Sequence, residues 1–143
     1  MLLAPDAKLR AVLDTNIYIS AFHYPQGPSF RVWRAAVHGR YRLLISPAIV
    51  NELARVLRTD FHWQETRLQR RLRTVTKVAE IVIPQKELTV IASDPSDDRI
   101  LECAAEGPAD LIVSGDRHLR RLKAYQGMPI VTPIDFWRTL GIR

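Results

Sequence analysis

Four acidic residues stand at positions from which their carboxylates would meet at one edge of a folded sheet. Asp14 and Asp116 each come just after an apolar run typical of a buried strand, and Glu52 and Asp98 lie on predicted helices. Converging carboxylates repel one another, and a hard divalent cation with oxygen ligands, Mg²⁺ or Mn²⁺, relieves that repulsion. The pattern therefore predicts an acidic pocket that binds such a cation.

Each of these acids also has a purely structural interpretation. Asp14 is suited to ending a strand or to capping a helix at Asn16. A carboxylate at a helix N-terminus, such as Asp98, is favoured by the helix dipole. Asp116 suits a turn, and Glu52 suits a solvated helix face, although it borders the apolar side of its helix. Taken singly the structural interpretations prevail, and only the joint occurrence of the four acids favours a functional pocket.

The elements that must position these acids alternate between strand and helix. Ser29 is predicted to cap the second helix and Gly39 to end it. The segment Leu88–Ala92 is ambiguous. Repeated strand–helix units favour a parallel sheet with helices on both faces, in which ligands gather at the carboxyl ends of the strands. The pattern predicts strands over 9–13, 41–45, 81–83, 111–113 and 129–131, and helices over 16–22, 29–38, 47–58, 64–78, 98–106, 117–125 and from 132–133 onward.

Composition narrows the class of protein. The 143 residues predict a single domain over 1–143, and the formal charge of +6 favours a polyanionic partner such as nucleic acid, the alternative being a basic surface that serves solubility. One cysteine excludes an internal disulfide framework and an all-cysteine zinc site. With no apolar run long enough to span a bilayer and no signal-peptide pattern, we expect a cytoplasmic protein with no membrane association.

Five short motifs, in order along the chain, resemble those of PIN-domain ribonucleases, and within that family the small VapC-like toxins of bacterial toxin–antitoxin pairs. The resemblance implies a three-layer α/β/α sandwich with a central, mostly parallel sheet. It also implies an endoribonuclease that depends on Mg²⁺ or Mn²⁺ and leaves a 5′-phosphate and a 3′-hydroxyl. The motifs are L-D-T-N at 13–16, S-P-A-I-V-N-E-L at 46–53, D-P-S-D-D-R-I-L-E-C-A at 94–104, V-S-G-D at 113–116 and I-V-T-P-I-D-F at 130–136.

The same resemblance assigns roles to the acids and to their polar neighbours. Asp14, Asp98 and Asp116 are expected to ligate the metal, and Glu52 to complete the catalytic pocket or orient the water. Asp98 is preferred to Asp94 and Asp97 because that register places Ile100, Leu101 and Ala104 on the buried side of the helix. Thr15, Asn16 and Ser114 occupy the supporting positions.

Cations near the pocket are the candidates for binding substrate phosphates. They are Arg99, where the subgroup often carries Asn, and Arg117, Arg120 and Arg121, which directly follow Asp116. The basic residues of 67–77 favour a solvated helix face. Trp33, Trp63 and Trp137 are expected in the core or in an interface rather than stacked on bases, and Cys103 is expected to be buried and unreactive.

Two other classes of function compete with a ribonuclease. The first is another magnesium-dependent phosphohydrolase or phosphotransfer domain, but Asn16 stands where a haloacid-dehalogenase-like phosphatase carries its second Asp. The second is a non-catalytic RNA-binding module with a degenerate pocket, against which the four retained acids argue. For a toxin of this kind, the resemblance further implies a cognate antitoxin and a homodimer as partners.

Overall fold

A computed structural model describes residues 8–89 and 95–141. Its strands are β1 (Arg10–Leu13), β2 (Arg42–Ile45), β3 (Glu80–Ile81), β4 (Leu111–Val113), β5 (Ala124–Tyr125) and β6 (Met128–Val131). Its helices are α1 (Thr15–His23), α2 (Pro28–Val37), α3 (Pro47–Thr59), α4 (Glu65–Val78), α5 (Pro95–Glu106), α6 (Arg117–Arg120) and α7 (Pro133–Thr139). Of the ambiguous segment, residues 88 and 89 form neither helix nor strand, and 90–92 lie outside the described residues.

The strands form one sheet in the order β3-β2-β1-β4-β6-β5. All neighbouring pairs are parallel except β5 and β6, so the predicted mostly parallel sheet is confirmed. The chain moves outward from β1 to β3, then crosses back to β4 and continues the other way to β6. Since parallel crossovers are right-handed, this reversal places helices on opposite faces and confirms the α/β/α arrangement. The order of strands reverses between β1 and β4, which is where such sheets bind ligands.

The core lies where the short central strands meet the helices. Residues 11–13 of β1 and 43–45 of β2 are at most 1% exposed, as expected for strands covered on both faces. Trp33 and Trp63 are buried and pack against Tyr18 and Phe22, as predicted, whereas Trp137 is half-buried. In the described part of the chain no helix is long and apolar enough to cross a membrane.

The predicted helix over 117–125 is wrong beyond Arg120. The chain leaves helical geometry at Lys123, whose φ is +60°, and then forms β5, which pairs antiparallel with β6. Gln126 and Gly127 have φ values of +50° and +78°, which are the two left-handed residues of a tight hairpin turn. This hairpin covers the outer edge of β6.

Two predicted helix starts are also wrong. Gly27 rather than Ser29 is the N-cap of α2, and no side chain caps it. α5 begins at Pro95, three residues before the predicted start. By contrast Ser46 caps α3 as its S-P sequence predicts, since its Oγ accepts a hydrogen bond from the Ile49 N–H at 3.3 Å. Gly39 follows α2 with a φ of +71°, in agreement with its predicted role in ending that helix.

Candidate active site

Asp14 is fixed at the junction of β1 and α1. Its backbone N–H donates to the Val113 carbonyl of β4 at 2.9 Å. Its side chain is the N-cap of α1, with Oδ1 accepting from the Asn16 N–H at 3.1 Å and Oδ2 accepting from the Ser114 hydroxyl at 2.7 Å. Asp14 is 4% exposed. Asp14 therefore caps α1, as its structural interpretation predicts, and the same carboxylate is the candidate metal ligand.

Ser114 connects the carboxylate of Asp14 to the turn that carries Asp116. The Ser114 side chain is fully buried, and its Oγ accepts a hydrogen bond from the Asp116 N–H at 2.9 Å. Asp116 Oδ1 in turn accepts from the His118 N–H at 2.6 Å, which makes Asp116 the N-cap of α6. One buried hydroxyl thus contacts both strand-end acids, and the predicted supporting role of Ser114 in catalysis stays a prediction.

Glu52 is held differently, on the surface of α3. Both of its carboxylate oxygens accept hydrogen bonds from the Arg55 guanidinium, at 2.8 and 3.1 Å. The Glu52 side chain is 27% exposed, and Arg55 is 58% exposed. This hydrogen-bonded carboxylate raises the pKa of Arg55, which stays cationic beside the site.

These acids line one cavity of about 90 Å³ at the carboxyl ends of β1 and β4, here called the acidic cavity. Three of the four predicted catalytic acids contribute to its wall, and Thr15 and Asn16 also lie there. Asp98 does not line it; the acid that α5 contributes is the adjacent Asp97. The lining residues are Asp14, Thr15, Asn16, Glu52, Val56, Ser96, Asp97, Ile100 and Asp116.

The early start of α5 explains why Asp97 takes this place. With the helix beginning at Pro95, Asp97 shares a helix face with Ile100, three residues on, and both line the acidic cavity. Asp98 points about 100° further round the helix, and it is also buried, at 3% exposed. Asp94, which belongs to the same motif, lies outside the described residues.

Two larger cavities adjoin the acidic cavity and share its walls. One, of about 270 Å³, contains Thr15, Glu52 and Arg99 and is called the Arg99 cavity. The other, of about 460 Å³, contains Asn16, Asp116 and Arg117 and is called the Arg117 cavity. Thr15 and Glu52 line both the acidic cavity and the Arg99 cavity, and Asn16 and Asp116 line both the acidic cavity and the Arg117 cavity. The three cavities are therefore neighbours, and together they are called the groove.

The donor set of the acidic cavity fits a hard divalent cation. Four carboxylates line it, and carboxylate oxygen is the ligand that Mg²⁺ and Mn²⁺ prefer. The side chains do not yet converge: within the described residues, no three His, Cys, Asp or Glu side chains form a metal-binding group. Asp14 accepts hydrogen bonds from the Ser114 hydroxyl and the Asn16 N–H, whereas Glu52 is turned toward Arg55 with both oxygens.

The predicted substrate cations fall into two groups. Arg117, Arg120 and Arg121 are exposed beside Asp116, and Arg117 lines the Arg117 cavity. Arg99 instead makes an ion pair with Glu102 at 2.9 Å and donates to the Leu88 carbonyl at 3.0 Å. Arg99 therefore ties the segment before α5 to that helix, and its contact with substrate stays a prediction.

Nucleophilic chemistry by the cysteine does not fit its surroundings. Cys103 is fully buried in α5, and burial raises the pKa of its thiol to about 12. The thiolate, which is the reactive form, is therefore suppressed at neutral pH. His23 is also committed elsewhere, because its ring accepts from the Trp63 indole N–H at 3.2 Å.

Comparison with known proteins finds relatives in sequence and in fold. A chain 28% identical over 121 residues is the uncharacterised protein MJ1680 of Methanocaldococcus jannaschii, and the match covers 81% of this chain and 76% of that protein. Among solved structures, PAE2754 from Pyrobaculum aerophilum superposes with a TM-score of 0.63 at 16% identity, over 95% of this chain and 91% of the other.

Two further structures share the fold. VapBC2 from Rickettsia felis, bound to a DNA fragment from its promoter, gives a TM-score of 0.62 at 15% identity. DNA-bound VapBC from Salmonella typhimurium gives 0.58 at 16% identity, and both matches cover 87% of this chain and 98% of the other. A PIN domain family model matches residues 10–118, which include all the acids of the cavity. The chain therefore belongs to the PIN domain family.

Proposed function

We propose that this protein is a metal-dependent endoribonuclease and the toxin of a toxin–antitoxin pair. One observation carries the proposal: Asp14, Glu52, Asp97 and Asp116 line a single cavity at the strand reversal of a PIN domain. Carboxylates gathered at this point of an α/β sheet are suited to hydrolysis of a phosphodiester. The VapC-like motifs of the sequence support the assignment to this toxin class.

The chemistry would divide between the cation and the chain. Mg²⁺ or Mn²⁺, when bound, supplies Lewis-acid polarisation of the phosphodiester and activates water for in-line attack. Asp14 and Asp116 would hold the cation, with Ser114 fixing the direction of the Asp14 carboxylate. Glu52 would release Arg55 and complete the pocket or orient the attacking water.

We assign the fourth acidic position to Asp97 rather than to Asp98. Asp97 lines the acidic cavity, whereas Asp98 lies on a different part of the same helix turn. Asp97 would then bind the cation directly or through water. A ligand role for Asp98, as first expected from the sequence, would require the start of α5 to rotate.

The charge distribution supports a nucleic-acid substrate, and the VapC-like motifs favour RNA. A formal charge of +6 attracts a polyanion to a chain whose central cavity is acidic. Arg117 lines the neighbouring Arg117 cavity together with Asp116, and Arg120 and Arg121 are exposed at the end of α6. These arginines would contact phosphates on either side of the scissile bond without reading sequence.

Two protein partners belong to the proposal. A cognate antitoxin would block the groove that contains the acidic cavity, in keeping with the VapC-like motifs and with the shared fold of the two VapBC structures. A second copy of the chain would form a homodimer. Coexpression with a candidate antitoxin, followed by copurification and measurement of mass, tests both partners.

The first experiment is cleavage of a mixed panel of structural and messenger RNAs by the purified protein. We expect cutting with Mg²⁺ or Mn²⁺, no cutting with EDTA, and products that carry a 5′-phosphate. Asp14→Asn and Asp116→Asn should both abolish cutting while retaining the wild-type circular dichroism spectrum. Failure of folded wild-type protein to cut any RNA or to bind metal would instead support a non-catalytic RNA-binding module. Cleavage of DNA alone would refute the choice of substrate.

A further inference from the structure

A pocket rich in arginine lies between α2 and α7, away from the acidic cavity. It has a volume of about 190 Å³ and is called the basic pocket. Within the described residues its wall contains no carboxylate. The lining residues are Arg31, Arg34, Ala35, His38, Arg40 and Trp137.

The arginines of this pocket differ from those that have structural roles. Where the structure describes the chain, Arg10, Arg55, Arg58 and Arg99 each form an ion pair with a glutamate. Across the same residues, 8–89 and 95–141, no ion pair includes any of the three pocket arginines. Side chains of this kind, grouped without acids, are suited to an anionic partner.

Aromatic rings hold two of these cations in place. The Arg31 guanidinium lies 5.0 Å from the centre of the Trp137 ring, and that of Arg34 lies 5.6 Å from the centre of the Phe30 ring. Trp137 is half-buried, so part of its indole stays accessible in the pocket wall. Cations combined with an aromatic face are typical of sites that bind single-stranded nucleic acid.

The position of the basic pocket links it to the acidic cavity. α2 and α7 pack side by side, and their first turns, at Ser29 and Pro133, line the Arg117 cavity, which adjoins the acidic cavity. The later parts of both helices line the basic pocket. From Ser29 to His38 the helix rises roughly 13 Å, which is about four phosphate spacings of a stacked strand.

We propose that the basic pocket binds backbone phosphates of single-stranded RNA that leaves the acidic cavity along α2 and α7. This inference rests on the proposed function, because it assigns the path of the substrate of that site. Arg31, Arg34 and Arg40 contact phosphates several nucleotides from the scissile bond, at the amino-terminal edge of the sheet. Such contacts determine affinity and its dependence on salt, and they leave the chemical step unchanged.

The test compares two variants that lose the same charge. R31Q/R34Q/R40Q removes the pocket cations, and R70Q/R73Q/K77Q removes three exposed cations of α4. Binding of a fluorescent single-stranded RNA is measured by anisotropy at several salt concentrations, in EDTA so that no cleavage occurs. We expect the pocket variant to bind about tenfold more weakly and its logarithmic salt slope to fall by about 2, near 0.7 for each lost phosphate contact. The α4 variant should stay within about twofold of wild type.

Several outcomes would overturn the proposal. Equal weakening by both variants would show a net-charge effect, and no weakening by the pocket variant would show that RNA does not reach this face. Equal competition by duplex DNA or polyglutamate would show a site for another polyanion. As a second measurement, RNA should quench part of the tryptophan emission of the wild-type protein. It should leave the emission of W137F unchanged, since the two remaining tryptophans, Trp33 and Trp63, are buried.

Failure of this inference is distinguishable from failure of the proposed function. Suppose that, with Mg²⁺ or Mn²⁺ present, the pocket variant binds and cuts RNA as wild type does. That result would refute the proposed RNA path through the basic pocket and support the proposed ribonuclease activity. Conversely, selective loss of RNA binding in a protein that cuts no RNA would support the path and refute the nuclease.

Discussion

The two halves of the acidic cavity hold their carboxylates in opposite ways. On the strand side, Asp14 and Asp116 are connected through the buried hydroxyl of Ser114 and through backbone N–H groups. On the helix side, Glu52 is paired with the exposed Arg55 on the outer surface of α3. The strand-side carboxylates are thus held by backbone N–H groups and a buried hydroxyl, whereas Glu52 is held by one exposed side chain.

The difference indicates how a single cavity can be both preformed and adjustable. Strand ends are fixed by the sheet, so a carboxylate there needs little reorganisation when a cation arrives. A carboxylate on the surface of a helix can rotate between partners at small cost, because an exposed ion pair is weak. We therefore expect substitutions of the strand-side acids to abolish the chemistry, and changes to the ion pair of Glu52 to tune it.

The largest effect should follow from replacing the acid at the end of β1. Asp14→Asn keeps the size of the side chain and the ability to cap α1, but removes a negative ligand. We expect RNA cleavage to fall about a thousandfold, equivalent to roughly 4 kcal/mol of lost cation-assisted stabilisation of the transition state. Single-turnover assays at saturating RNA measure this loss. The control is Asp60→Asn, which replaces an exposed acid after α3 and should cut RNA as wild type does. A comparable loss in both variants would contradict the assignment of Asp14 to the active site.

The next largest effect concerns the two acids of α5. Asp97→Asn should lower cleavage by about a hundredfold or more, since Asp97 lines the acidic cavity. Asp98→Asn should lower cleavage by less than tenfold, because that side chain is buried away from the cavity. Paired cleavage assays and thermal melts of both variants decide the assignment. The reverse order of the two effects would restore Asp98 as the ligand and would mean that the start of α5 differs from the described geometry.

Much of the fold was predictable because its signals are local. Apolar runs marked the central strands, and S-P at 46–47 marked the start of α3 correctly, since a capping hydroxyl and an N1 proline act within one turn. The β5–β6 hairpin was missed because a basic, partly apolar stretch fitted a helix as well. The Q-G pair at 126–127 was the available signal, since both residues need positive φ.

The site was less predictable on its helix side than on its strand side. Asp14 and Asp116 follow from strand ends, and a strand end has little freedom of register. On α5, residues 97, 98 and 100–104 are all buried, so helical periodicity does not distinguish the face of Asp97 from that of Asp98. The hydrogen bond of Arg99 to the Leu88 carbonyl depends on a segment before α5 whose course the sequence pattern does not predict.

A smaller effect should follow from removing the hydroxyl that connects the strand-side acids. Ser114→Ala leaves Asp14 without one donor and the Asp116 N–H without its acceptor, so cleavage should fall about 10- to 100-fold. The buried unsatisfied groups should also lower the free energy of unfolding by about 1–3 kcal/mol.

Ser46→Ala separates these two consequences of the serine substitution. Ser46 is also fully buried, but its hydroxyl caps α3. We expect a comparable loss of thermal stability in Ser46→Ala with cleavage at the wild-type rate below the melting temperature. Equal losses of cleavage in the two variants would show that Ser114 acts only through stability. Ser114 would then have no part in positioning Asp14 and Asp116 for the reaction.

The smallest effect should come from the ion pair on the helix side. Arg55→Gln releases Glu52 and removes a cation that repels the metal, so the Mg²⁺ concentration for half-maximal cleavage should fall by about twofold. The maximal rate should change little, since Arg55 holds Glu52 through an exposed ion pair of the kind that is weak. Arg58→Gln, on the same helix as Arg55, breaks a matching exposed ion pair with Glu65 of α4 and should leave the Mg²⁺ dependence unchanged. A tenfold loss of maximal rate in Arg55→Gln alone would instead show that Arg55 positions Glu52 for the reaction. Glu52 would then need a fixed position for cleavage, as Asp14 and Asp116 do.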